Sequence, residues 1–325
     1  MAKTSTPLKL PPRREARQHA KYERLIEAAK TKPVLRTAVA HPCDESSLKG
    51  TIEAFQAGLI MPLLVGPADT IRGAAKRLHL DISGLEIVDA PHSQASAERA
   101  VALVREGKAE LLMKGSLHSD EILSEVTKRD GLRTGRRVSH VFIIDVPTHL
   151  HTLFITDAAV NIAPDLMAKR DIVQNAIDLF VGLGLGTPKV ALLSAVETVT
   201  VAIPSTIEAA ALCKMADRGQ ITGGELDGPL AFDNAISEEA ARIKGIKSTV
   251  AGRAQILVAP DLEAGNMLAK NLSFLSNADA AGILLGARVP VILTSRADNL
   301  RTRLASCAVA SLFAYSRKTG RPIQH

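Results

Sequence analysis

The sequence predicts an α/β fold of two lobes, with mostly parallel sheets and helices on both faces, and three observations carry that reading. Short apolar runs alternate with segments of helical periodicity along the chain. Such alternation builds strand-helix-strand units whose parallel strands are covered on both sides. Of the residues, 46% are hydrophobic but only 3% aromatic, with no Trp, which suits a Val/Ile/Leu/Ala core of packed strands and helices. At 325 residues the chain is long enough for a large core and for division into two domains.

Taken in order, residues 1–12 contain Pro7, Pro11 and Pro12 and read as a disordered start, and 14–30 reads as a packed leading helix. Strands are expected at 36–40, 61–65, 86–89, 110–113, 139–146, 152–156, 189–193, 255–258, 282–285 and 289–294. Helices are expected at 46–57, 93–105, 168–181, 204–216, 237–244 and 300–315. Gly182, Gly184 and Gly186 end a helix and precede a strand, the reverse of a dinucleotide-binding loop, so they read as a helix stop.

The net charge of +6 is modest, and much of the basic excess falls in the first 36 residues. With so few aromatic side chains to stack on bases, no nucleic-acid partner is expected. Cys43, Cys213 and Cys307 lie far apart, without the spacing of a disulfide framework or a zinc site. His149 and His151 alternate in one segment but lack a third ligand nearby, so no metal is expected. The charged N-terminus has no apolar h-region and no apolar run approaches 18 residues, so no membrane role is expected and a cytoplasmic location is.

Chemistry concentrates where apolar runs meet polar turns. The run ending in Thr294, Ser295, Arg296, Ala297 and Asp298 delivers a hydroxyl, a guanidinium and a carboxylate just before a helix. Arg pairs bidentately with phosphate or carboxylate, and a helix N-terminus adds backbone donors and partial positive charge. The plain alternative is that Ser295 and Asp298 only cap the helix. Lys114, Gly115, Ser116 and His118 form a second junction of this kind. Arg133, Asp157, Asn161 and Asp227 stand in further polar or Gly-containing clusters beside apolar runs.

Seven motifs in order, KGSLHSDE (114–121), GLRTGRR (131–137), SHVFIIDVP (139–147), TDAAVNIAPDL (156–166), LSAVE (193–197), the segment 214–237 and LTSRADN (293–299), resemble the phosphate acetyltransferase and phosphate butyryltransferase family. The pattern is closest to the butyryl-type and MaoC-hydratase-fused branches. The resemblance implies an isocitrate/isopropylmalate dehydrogenase-like arrangement: residues 31–150 with 295–325 as one α/β domain, and 151–294 as a second, inserted in it. It implies interconversion of a short-chain acyl-CoA (acetyl-CoA or butyryl-CoA) and phosphate with acyl phosphate and CoA, by direct transfer in an interdomain cleft of a homodimer. CoA is then a substrate, and no cofactor is called for. Ser295, Arg296 and Asp298 become catalytic candidates. Lys114, Gly115, Ser116, His118, Arg133, Asp157, Asn161 and Asp227 become substrate-binding ones. In the acetyl-specific branch a catalytic Asp lies seven positions after the Ser of the Ser-Arg pair; here that position is Thr302, which leaves Asp298 as the nearest substitute. Two readings of other classes stand beside this one: a non-catalytic acyl-CoA-binding sensor that keeps the cleft, and a dehydrogenase of the related two-lobed fold.

Overall fold

The computed structural model describes residues 20–293 and 298–324. After the leading helix α1 (Ala20–Lys30) come β1 (Leu35–Ala40), α2 (Glu45–Gln56), β2 (Ile60–Gly66), α3 (Ala68–Arg77), β3 (Glu86–Asp89), α4 (Ser93–Arg105) and β4 (Leu111–Lys114). The middle of the chain forms α5 (Ser119–Thr127), β5 (Ser139–Asp145), β6 (Leu153–Thr156), α6 (Leu166–Gly182), β7 (Lys189–Leu193), α7 (Pro204–Asp217), β8 (Glu225–Leu230), α8 (Phe232–Ile236) and α9 (Glu238–Ile243). Next are β9 (Ile256–Val258), α10 (Leu262–Leu275), β10 (Asp279–Leu285), β11 (Val291–Ile292) and α11 (Leu300–Thr319). Several helices start where a carboxylate accepts a backbone N–H three residues on, as Asp44 does for Ser47, Asp165 for Ala168 and Asp261 for Ala264.

The described strands form one sheet, in the order β3-β2-β1-β4-β11-β10-β5-β6-β9-β7-β8. The first five in this order are mutually parallel, as are the last four. Between them β10 runs antiparallel to both its neighbours, and β5 antiparallel to β6. The sequence leads one to expect sheets in the plural; the structure corrects this to a single one. The reason lies in β5 and β10, apolar runs that are mostly buried and therefore accept a strand on each edge. They pair from Ser139 opposite Leu285 to Asp145 opposite Asp279 and join the two parallel halves. A second correction concerns 225–230, which reads as a polar Gly-Pro cluster but forms the edge strand β8 beside β7. An edge is where a sheet tolerates proline.

The two faces of the sheet are packed differently. One carries a continuous core from Tyr22 and Leu25 of α1, across Val39, Val141, Ile143 and Phe154, to Val190 and Leu212. The other is divided. One cluster gathers Leu112, Leu117, Val138 and Leu284, and a second gathers Ile144, Leu153, Ile155 and Leu257, with Phe142 and Ala280 against it. A seam therefore crosses this face over β5 and β10. Opposite it Tyr22, fully buried, accepts from Ala281 N at 2.7 Å and donates to the Ile143 carbonyl, so α1 is bonded to both joining strands. The leading helix begins at Ala20 among the described residues; positions 14–19 of the expected helix lie outside them.

Candidate active site

Strand register shows which candidate residues lie level. Met113 and Ile283 both pair with Ile292, so Lys114, Gly282 and Leu293 are abreast, and Gly282 pairs in turn with Phe142. Phe142 pairs antiparallel with Ile155, so Asp157, two residues on, lies level with His140, roughly 7 Å back toward the start of β4 at about 3.3 Å per residue; Thr156 Oγ1 donates to His140 O at 2.8 Å. Ser295 and Arg296 follow Leu293 in sequence and lie outside the described residues.

At the β4 end the backbone is closely packed. Gly115 N donates to Ala40 O at 2.8 Å, and Ser116 donates to His41 O through both its N (2.9 Å) and its Oγ (2.7 Å). A Cβ on residue 115 would stand 2.4 Å from Ala40 O and 2.6 Å from His41 O. Both obstacles are backbone and cannot swing aside. Gly115→Ala is expected to cost at least ~2 kcal/mol of stability; a urea midpoint equal to the parent's would refute this account of the glycine. His118 is exposed at the head of α5, where its N donates to Glu121 Oε2 at 2.7 Å. The Ser93 hydroxyl, followed by this backbone bond, holds the Glu121 carboxyl below its usual range.

A cavity of about 770 Å³ is walled by α5, by the turn 133–138 that leads into β5, and by residues 160–171. Arg133 and Asn161 line it together with Asp120, Ser124 and Arg137. Asn161 is buried and aligned from two sides. Arg137 Nε donates to its Oδ1 at 2.7 Å, and its Nδ2 donates to Val138 O at 2.9 Å. The 3% exposed Asp157 accepts from the N–H groups of Ala159, Val160 and Asn161 at 2.9, 3.1 and 3.2 Å, and from Asn161 Nδ2. Four donors match the lone-pair capacity of a carboxylate, so Asp157 shapes the turn that presents Asn161. Asp227 stands apart on β8, three strands from β6, about 14 Å at the usual strand spacing.

Sequence reasoning did not single out His140. It sits on β5 between the two halves of the divided face, 2% exposed, edge-on to Phe142, and its Nδ1 has no hydrogen-bond partner among the described residues. Diagonally across on β10 stands Gly282, whose hypothetical Cβ would lie 2.8 Å from His140 Nε2 and 2.9 Å from Leu293 O. The imidazole thus reaches from the Asp157 turn toward the end of β11. Burial pushes its pKa down to about 4, against the pull of Asp157. A folded pKa below the unfolded 6.5 means that the unfolded chain takes up the proton first as pH falls. Stability is therefore expected to drop by up to ~3 kcal/mol between about pH 6.5 and 4. His140→Phe should flatten that slope in denaturant titrations; an identical slope in the variant would exclude His140 as its source.

Asp298 immediately precedes the N-cap residue of α11. The cap is Asn299, whose side chain accepts from Thr302 N at 2.9 Å and donates to Asp279 Oδ1 at 2.8 Å. Arg301 adds a contact to Asp279 Oδ2 at 3.3 Å, and Arg303 donates to Asp298 O at 2.6 Å and to Ser46 O at 2.9 Å. Thr302, at the acetyl-branch acid position, is buried within α11. Two signals for this clamp were visible, the Asn before the helix and the Arg pair after it, but their partners are remote in sequence. The Cys43, Cys213 and Cys307 thiols are pushed up, chiefly by burial, to about 11, 12 and 12, far from a neutral-pH thiolate.

Residues 94–311 match the family model described as Phosphate acetyl/butaryl transferase. The chain is 70% identical over 302 residues to a phosphate acetyltransferase of Rhizobium meliloti, covering 93% of this chain and 96% of that protein. It is 41% identical over 294 residues to a phosphate butyryltransferase of Clostridium acetobutylicum, covering 90% and 98%. Among solved structures, a branched-chain phosphotransacylase from Enterococcus faecalis superposes with a TM-score of 0.75 at 30% identity, covering 87% of this chain and 99% of that one.

Proposed function

The chain belongs to the phosphate acetyl/butyryltransferase family, and from that premise we propose how its residues share the reaction. The enzyme interconverts acyl-CoA and phosphate with acyl phosphate and CoA. The observation that carries this is the 70% identity to a phosphate acetyltransferase, which also makes acetyl-CoA the first acyl donor to test, ahead of butyryl-CoA. In the forward direction a phosphate oxygen attacks the thioester carbonyl, the C–O bond forms, the C–S bond breaks and CoA leaves as thiolate. In reverse the CoA thiol loses its proton and its sulfur displaces phosphate from the acyl phosphate.

We assign Arg296 to the charge that builds on the carbonyl oxygen and the phosphate, with Ser295 as a neighbouring donor. Asp298 accepts the thiol proton, directly or through water. Lys114, Gly115 and Ser116 at the β4 end, His118 at the head of α5, and Arg133 receive the phosphate groups. Asn161, aligned by Asp157, orients the acyl phosphate or CoA across the seam, and Asp227 lies where a ligand as long as CoA extends toward β8. Direct transfer, without an acyl-enzyme, is supported by the raised thiol pKa values and needs no resident cofactor.

The division into residues 31–150 with 295–325 and an inserted 151–294, in the isocitrate/isopropylmalate dehydrogenase manner, is supported by the return of α11 onto α1 and α2. A homodimer is supported by exposed apolar side chains at Met167, Val199, Val201 and Ile207, near helices α6 and α7, which the Lys169–Glu208 ion pair ties together. No described helix is long and apolar enough to cross a membrane, and we place the enzyme in the cytoplasm. The test of the reaction is to mix the protein with acetyl phosphate and CoA and follow thioester absorbance. Catalytic thioester formation is expected; its absence, with butyryl phosphate also inert, would overturn the reading.

A further inference from the structure

Behind the turn that carries Arg133 lies a second cavity, of about 640 Å³, lined by Arg136, Arg317, Arg321 and Asp178 over a floor that includes Val181 and Phe313. Three guanidiniums face one carboxylate, and that carboxylate is engaged: Asp178 pairs with Arg136 and accepts from Gln174 Nε2 at 2.8 Å. Arg317 donates to the Ala287 carbonyl at 3.2 Å and lies 5.9 Å from the centroid of the Phe313 ring. Arg321 has no carboxylate partner among the described residues. Two positive forks are thus left uncompensated at one concave site. Both lie beyond residues 94–311, the stretch matched by the family model.

The wall of this cavity is also the support of the cleft. Ala287, whose carbonyl Arg317 holds, is bridged antiparallel to Arg133. Arg288 N donates to Leu132 O at 2.8 Å, and Thr134 Oγ1 to Gly286 O at 2.6 Å. Residues 286–288 therefore have Arg317 on one side and the Arg133 turn on the other.

We propose that this cavity binds a di- or polyphosphate anion on Arg317 and Arg321, with Arg136 at its edge, separately from the cleft used for acyl transfer. A guanidinium fork matches phosphoryl oxygens bidentately, and two forks in a cavity of this size suit a ligand with more than one phosphoryl group. The probe is inorganic pyrophosphate, titrated calorimetrically into the full chain. Binding is expected to weaken at least ~10-fold in the Arg317→Gln/Arg321→Gln double variant, since two charge-assisted contacts are lost. It should weaken likewise in Arg321→Glu and persist in Arg133→Gln. Arg321 is exposed and follows α11, so its single variant keeps the test alive if the double variant fails to fold. Undetectable binding at millimolar pyrophosphate would overturn the proposal. So would binding lost in Arg133→Gln but unchanged in Arg321→Glu, because the anion would then sit in the cleft. The calorimetry does not depend on the proposed reaction, so the two can fail separately.

Discussion

Arg296→Ala is expected to lower kcat by at least ~100-fold while changing KM much less, because the guanidinium is assigned to charge that exists mainly in the transition state. The described residues on either side of 294–297 belong to anchored elements. The chain enters the segment from β11, held between β4 and β10, and leaves it into α11. Beyond the segment, Asn299, Arg301 and Arg303 bind Asp279, Asp298 O and Ser46 O. Truncating the side chain leaves those anchors in place, so the melting temperature should be unaffected. A variant with near-normal kcat would remove Arg296 from the chemistry, and one that lost both rate and folding would make its role structural.

Asp298→Asn is expected to slow the thiol-consuming direction by ~100- to 10,000-fold, the range for loss of a general base. The structure sharpens this experiment. A residue that only capped α11 would tolerate the change, but Asn299 already accepts from Thr302 N, so the cap does not depend on Asp298. What is fixed by Arg303 is the Asp298 carbonyl, which asparagine retains. Stability and rate should therefore separate: an unchanged melting temperature with a collapsed rate is the expected pair. An unchanged rate would direct attention to Asp227 or to the intrinsic acidity of the thiol.

Local patterns were legible to different depths. Alternating apolar and amphipathic segments revealed most strands, because each run encodes its own burial. The stop after α6 was equally readable, since Gly184 and Gly186 adopt φ of 73° and 90°, a region that favours glycine. Clusters around Gly115, Arg133 and Asn161 stood out because polar groups beside apolar runs interrupt the period. The single sheet was not legible, because the partner of an apolar strand is not written in its own residues; β10 pairs with β5 from more than a hundred positions away. His140 was hidden in the run SHVFIID, where a polar side chain near the end of an apolar run looks like ordinary strand patterning. Only the seam beneath it gives it meaning. Asp157 was read as a substrate contact from its place in a loop, whereas its backbone partners, two to four residues on, show it to be a turn former as well.

The unequal packing of the two faces also sets the mechanics of the molecule. On the face with Tyr22 the core runs across β5 and β10 without a break, while the other face is parted over them. A bend of the sheet would fall at β5 and β10, with its spine on the Tyr22 side. The two halves should accordingly melt together in a single calorimetric transition, with β5 and β10 amides among the last to exchange with solvent. Tyr22→Phe cuts the spine's bond to Ala281, and its first visible effect should be earlier exchange at β10, before any change in the cleft.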